Sequence, residues 1–284
     1  MFPEICRDLT FLGATRAYDE ARVVLTGAGL DATGSFRPGT REGPRSVRYY
    51  SQCIEEYSVR LGRDLRETPF CDLGDVDLTC GRTDEILSRI GAVAAKIISD
   101  GKIPFFIGGE HLITFPIIQE VCRKYPEVAV LHLDAHADLR DEYLGERYSH
   151  ATVMRRVTEI LGPGRVFQFG IRSADRAEVL FARNNTRLNF YKVSEPLVEL
   201  CEEIRRPVYV TLDIDVVDPA YAPGVGTPEA GGISPHELME AVYRFAGLNV
   251  VGFDVVEVNP VCDPGGLSSL LAATVIREMV LVVA

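Results

Sequence analysis

Three short segments of the sequence concentrate side chains that hold divalent cations. The first, Ile107-Gly108-Gly109-Glu110-His111, ends an apolar run with two glycines that let the backbone turn sharply and deliver a side chain. Alone it reads as a loop histidine. The second, Leu131-His132-Leu133-Asp134-Ala135-His136-Ala137-Asp138, sets Asp134, His136 and Asp138 two residues apart. They share one side of the chain for as long as it stays extended, with small alanines between. Such groups at the end of an apolar strand repel one another or stay poorly solvated unless a cation lies between them. His132, flanked by Leu131 and Leu133, reads as a core histidine or one that supports the cluster from behind. The third segment, Val210-Thr211-Leu212-Asp213-Ile214-Asp215-Val216-Val217-Asp218-Pro219, repeats the spacing with Asp213 and Asp215, while Asp218 before a proline reads as a turn cap. A carboxylate pair by itself could equally cap a helix or turn, so the inference rests on the three segments together. They supply two imidazoles and four carboxylates, whose four negative charges two divalent cations match. Nitrogen and hard oxygen donors without sulfur favour Mn²⁺ or a similar ion over a structural Zn²⁺ site. The chemistry expected is that of a two-metal hydrolase, which holds a bridging water and lowers its pKa.

The elements that must position these groups are legible as alternating apolar runs and segments of helical period. Strands are expected at 22–26, 103–107, 128–133, 165–170, 188–193, 208–214 and 249–256, and helices near 83–99, 115–124, 151–161, 175–184, 195–204, 234–245 and 267–283. Ser234-Pro235 is a good helix start. This alternation argues for α/β architecture with a parallel sheet covered on both faces, whose cleft at the carboxyl ends of the strands is the usual ligand site. Each chemical segment falls there. No break in composition divides the chain, so residues 1–284 are read as a single domain. Residues 31–48, rich in Gly, Pro and Arg, are expected to be a long ordered loop; their glycine spacing does not match a phosphate-binding loop.

Composition narrows the function classes. A net charge of −11 opposes attraction to nucleic acid or anionic lipid. The seven cysteines, at 6, 53, 71, 80, 122, 201 and 262, never take the two-residue spacing of thiolate metal sites or redox motifs and read as reduced thiols. Glu4 and Asp8 stand where a signal peptide would be basic and apolar, and Arg277 and Glu278 interrupt the one long apolar run, 267–284. A cytoplasmic protein without a membrane span is expected.

In this order and at these separations, GGEH, DAHAD and DIDVVDP resemble the signature of the ureohydrolases, the arginase and agmatinase family. The resemblance extends from about Gly27 through SFRPGTREGPRSVR to Glu257-Val258-Asn259-Pro260. It implies an arginase-like three-layer α/β/α sandwich, two Mn²⁺ ions per chain, hydrolysis of a guanidinium group to an amine and urea, and a homo-oligomer, trimer or hexamer. By position, His111, Asp134, Asp138 and Asp213 match the ligands of one ion, and His136, Asp134, Asp213 and Asp215 those of the other, so that Asp134 and Asp213 bridge. His150 matches the family's proton-shuttling histidine, and Glu257 the acid that receives the guanidinium. Asp138 is implied to accept a proton and orient the attacking hydroxyl. The pattern gives Asp254 no ligand role. Two positions depart from it: Leu112 follows His111 where Ser is common, and Ala151 follows His150 where Gly is common.

Within the family, 139–147 lacks the Asn- and Ser-containing loop of arginases and, like 221–229, resembles agmatinases, which release putrescine for polyamine biosynthesis. Asp141, Glu142 and Glu146 would repel a substrate carboxylate if they face the cleft. Arg140 keeps guanidino acids such as 4-guanidinobutyrate open, followed by arginine and formiminoglutamate. A metal-binding relative without turnover is the alternative from a different class.

Overall fold

The computed structural model describes residues 5–284 apart from Arg7, Thr79 and Cys80; Glu4 and Cys80, both used above, lie outside the described residues. In chain order the strands are β1 (Ile5–Cys6), β2 (Val23–Ala28), β3 (Tyr57–Ser58), β4 (Arg63–Asp64), β5 (Phe70–Val76), β6 (Ile103–Gly108), β7 (Ala129–Leu133), β8 (Val166–Ile171), β9 (Thr186–Phe190), β10 (Val208–Asp213) and β11 (Val250–Val256). The α-helices are α1 (Gly43–Ser51), α2 (Thr83–Ser99), α3 (Thr114–Lys124), α4 (Val153–Leu161), α5 (Arg176–Asn185), α6 (Ser194–Glu203), α7 (Pro235–Arg244) and α8 (Leu267–Val283).

Nine strands form one sheet in the order β1-β5-β2-β6-β11-β10-β7-β8-β9, parallel throughout except at β1. Successive residues of each central strand feed opposite apolar layers. Leu25, Phe105, Leu131, Val210 and Phe253 pack with α1, α6, α7 and α8, whereas Val24, Phe106, Val130 and Tyr209 pack with α2, α3 and α4. The expected three-layer α/β/α sandwich follows from strands buried on both faces. The six cysteines described are all free. Among the described residues no helix is long and apolar enough to cross a membrane.

The largest corrections to the sequence reading are at α1 and β5. The stretch 43–48, expected to be loop, opens α1, and β5 lies where no strand is expected. The cause is shared. Arg48 on the inward side of α1 is buried against Asp72 of β5, Nε to Oδ2 at 2.7 Å and Nη2 to Oδ1 at 2.9 Å, so polar residues stand where the apolar period would be read. The strand expected at 188–193 is shifted to 186–190, and neither β1 nor a small β3–β4 hairpin was expected.

Candidate metal centre and cleft

The four central strands, β6, β11, β10 and β7, are neighbours in the sheet, and each carries a candidate group at its carboxyl end. His111 follows β6, Glu257 follows β11, Asp213 closes β10 and Asp134 follows β7. Gly109 is needed for the first of these turns: a Cβ there would lie 1.9 Å from the Leu30 carbonyl oxygen.

The two-residue spacing has a different origin from the extended strand expected. Asp134 Oδ1 accepts from the backbone N–H of His136, and Asp213 Oδ1 accepts from that of Asp215 at 2.8 Å. Each motif is an Asx turn that folds the chain back over the strand end. Asp138 then takes a left-handed backbone (φ 54°), as does Glu257 (φ 65°). Non-glycine residues in this region cost about 1–3 kcal/mol each and cluster at functional sites.

His111 lies with its Nε2 2.9 Å from Thr211 Oγ1, and Thr211 donates to Asp254 Oδ1 at 2.6 Å. The threonine hydroxyl is therefore committed, His111 Nε2 carries hydrogen, and Nδ1 turns toward the acids. This buried Nδ1 has no hydrogen-bond partner and stands 3.1 Å from Asp134 Oδ2, 3.3 Å from Asp213 Oδ2 and 3.4 Å from Asp138 Oδ2. Either a second proton or a metal ion must sit between them. On the other side, His136 Nδ1 is 2.8 Å from Asp215 Oδ2 and 3.5 Å from Asp134 Oδ1. The donors fall into two metal-competent groups joined by Asp134, the first of His111, His132, Asp134 and Asp138 and the second of Asp134, His136 and Asp215, with Asp213 in neither. The donor set fits divalent cations.

Electrostatics make the same demand. Burial, then neighbouring Asp134, pushes Asp138 well above the usual carboxylate range, and burial with Asp215 and Asp134 does so for Asp213. Burial opposes charge on His111 and His136, yet the surrounding carboxylates outweigh it and raise both imidazoles. The pocket is short of positive charge.

Beneath the cluster runs a row that the sequence reading largely missed. Asp254, Thr211, His132 and Gln168 pair in register across β11, β10, β7 and β8. Asp254 accepts from Thr211, from Tyr209 at 2.7 Å and from Thr114 at 2.9 Å. Gln168 Nε2 donates to the Ala137 carbonyl at 2.7 Å and to His132 Nδ1 at 3.0 Å. That leaves His132 Nε2–H to donate to Asp134 Oδ2 at 2.7 Å. Burial lowers the His132 pKa, in keeping with a neutral ring that orients Asp134. The signal available in sequence was a polar residue at one level of several apolar strands.

The cleft above the cluster is lined by His111, His136, Asp138, Asp213, His150 and Glu257, with Arg140, Tyr143, Glu178 and Glu229 around them. Glu257 Oε1 accepts from the His111 backbone N–H at 2.8 Å, and burial pushes its carboxyl up to about 8. His150 opens the short turn before α4, and burial, with His136 and His111 nearby, lowers it to about 4. Asp141, Glu142 and Glu146 do not line the cleft. Asp141 instead pairs with buried Arg156 at 2.8 Å, which turns it away. Glu229, which the sequence reading cited only as the end of the agmatinase-like run 221–229, is the partly exposed acid at the rim, 3.9 Å from His136 Nε2. Asp218 is the turn cap expected, accepting from Ala220, Gly231 and Gly232.

This arrangement has close parallels. The chain is 43% identical to the agmatinase of Bacillus anthracis, over 99% of this chain and 98% of that one. It is 39% identical to the human mitochondrial guanidino acid hydrolase, over 89% of this chain and 76% of its relative. Among solved structures, the agmatine ureohydrolase of Thermoplasma volcanium superposes with a TM-score of 0.90 at 34% identity, covering 98% of this chain and 95% of the other. The Arginase family model matches residues 21–282, a span holding the central strands and every candidate group at their ends, and the chain belongs to that family.

Proposed function

We propose that the protein is a metal-dependent ureohydrolase that hydrolyses agmatine to putrescine and urea, with two Mn²⁺ ions held by His111, Asp134, Asp138 and Asp213 on one side and His136, Asp134, Asp213 and Asp215 on the other. When bound, such ions supply Lewis acidity and make water acidic enough to yield a nucleophile near neutral pH. The protein's own residues do the rest. Glu257 pairs with the guanidinium, a cation whose resonance makes its carbon a poor electrophile, and fixes that carbon over the cluster. The Asp138 carboxylate takes the proton of the attacking water. The proton taken from that water passes by way of the His150 Nε2 lone pair to the departing amine as the carbon–nitrogen bond breaks, so that one water is consumed and urea and a diamine leave.

The observation that carries the choice of substrate is the charge at the rim. Arg140 is the one arginine or lysine among the described lining residues, and Asp175 already engages it at 2.9 Å, with Glu178 3.8 Å away. Glu229 offers the remaining carboxylate to a distal ammonium. A guanidino acid is the second reading, favoured by the presence of Arg140 in the cleft and by the relative named for that activity. The proposal takes residues 1–284 as one ureohydrolase domain, assembled as a trimer or hexamer in the cytoplasm. Urea release from agmatine, arginine and 4-guanidinobutyrate, measured side by side with Mn²⁺, tests it. Agmatine is expected to lead arginine in kcat/KM by at least about a hundredfold, about 2.7 kcal/mol. Faster hydrolysis of 4-guanidinobutyrate overturns the choice of substrate, and absence of urea from all three makes the chain a binding relative.

A further inference from the structure

Two features remain without a role: the buried Glu110 of the GGEH segment, and the loop from Asp31 that crosses the cleft wall. They meet at Thr33. Glu110 is 1% exposed, and its Oε2 accepts from the backbone N–H groups of Ala32 at 2.9 Å and Thr33 at 2.7 Å. Its Oε1 takes the Thr33 hydroxyl at 2.9 Å. The same Thr33 oxygen lies 3.0 Å from the backbone nitrogen of His150, which donates to it, and 3.1 Å from His150 Nδ1. A threonine hydroxyl has one hydrogen and two lone pairs. With Glu110 a carboxylate, the form that its two backbone N–H donors favour, the hydrogen goes to Glu110 and one lone pair to the His150 backbone, so the second accepts from His150 Nδ1–H. The opposite ring atom, Nε2, then carries the lone pair and stands 3.4 Å from Ser35 Oγ, on the side of the cleft that Ser35 lines. Tyr143 packs edge-on against the ring at 5.5 Å and limits its rotation.

The loop is itself held for this task. Glu110 N–H donates to the Leu30 carbonyl at 2.7 Å, Asp31 Oδ2 accepts from Gly39 N–H at 2.8 Å, and Asn259 Nδ2 donates to the Arg37 carbonyl at 2.9 Å. The segment that delivers His111 thus also fixes the segment that grips His150.

We propose that Glu110 and Thr33 form a relay of positioning residues that sets the tautomer of His150, Nδ1–H toward Thr33 and Nε2 toward the substrate. This rests on the reading of His150 as the proton carrier. Without the hydroxyl, a neutral imidazole can place its hydrogen on either nitrogen and turn out of line, and only one of those states accepts and passes a proton at Nε2.

The test compares Thr33→Val, which keeps the shape and loses the hydroxyl, with Thr33→Ser, which keeps the hydroxyl, on the wild-type and His150→Asn backgrounds, all loaded with Mn²⁺ and assayed on agmatine. T33V is expected to lower kcat by ~10- to 100-fold with KM within about threefold. T33S should recover most of that loss, and T33V should add nothing once His150 is Asn. A second readout needs no turnover: in Mg²⁺-loaded protein labelled with ¹⁵N-histidine, the His150 signal, identified by its loss in H150N, should show a protonated Nδ1 that T33V abolishes. Unchanged kcat in T33V, multiplicative losses in the double variant, or an Nε2-protonated ring in wild type each overturn the relay. Wild-type turnover in H150N sinks the proton-carrier reading instead, and the nitrogen signal then decides the tether on its own.

Discussion

Two groups of buried charge lie on the same sheet and are built on opposite terms. On β5 and α1, Arg48 and Asp72 are 2% and 0% exposed at their side chains, with two hydrogen bonds between them and a third from Arg48 to the Gly74 carbonyl at 3.0 Å. Asp75 completes the set at its more exposed edge. This cluster carries its own counter-charge. At the ends of β6, β10 and β7, by contrast, Asp134, Asp138, Asp213 and Asp215 have imidazoles and backbone N–H groups but no arginine or lysine among the ion pairs of the described residues, and one imidazole nitrogen is buried without a partner. Buried acids mark function where the fold leaves them short of positive charge, and architecture where it does not.

Breaking the self-sufficient cluster should cost the most stability. Arg48→Met leaves Asp72 buried and uncompensated, and a loss of about 3–5 kcal/mol in urea denaturation is expected, while the folded variant keeps its metal content and its KM for agmatine. A loss below about 1 kcal/mol would mean that the cluster is more hydrated than its burial implies. Next in size is His150→Asn, which touches the metal-competent site from outside: kcat should fall about a hundredfold with both ions retained. Loss of an ion would make His150 a ligand. The smallest effect is expected at the rim, where Glu229→Gln should raise KM for agmatine about fivefold, the scale of a partly exposed charge, with little change for arginine. An equal change for both substrates would place Glu229 behind His136 instead of against the substrate tail.

The same contrast explains what could be read from the sequence. The candidate ligands were legible because they come in local pairs, Asp134 with His136 and Asp213 with Asp215, each closed by an Asx turn. The helices at 83–99 and 267–283 were legible because their inward faces are apolar. α1 and β5 were not, because Arg48 and Asp72 satisfy each other across 24 residues and hide the apolar period in both. Of the row formed by Gln168, His132, Thr211 and Asp254, only His132 was legible, as a histidine behind the cluster; the rest escaped because they meet only through sheet register. The cleft rim depends on loops far apart in the chain, so Glu229 emerged and Asp141 withdrew only once the fold was in view.

Metal content tests the central contrast most directly. Protein refolded or expressed with Mn²⁺, dialysed and measured by elemental analysis should hold two ions per chain, and should lose them as pH falls, because carboxylates and imidazoles bind only when deprotonated. Asp134→Asn or Asp213→Asn should disturb both ions at once, whereas Arg48→Met, in its folded fraction, should keep both. A fully active enzyme with a single ion, or a bridging variant that retains two, would contradict the two-ion centre.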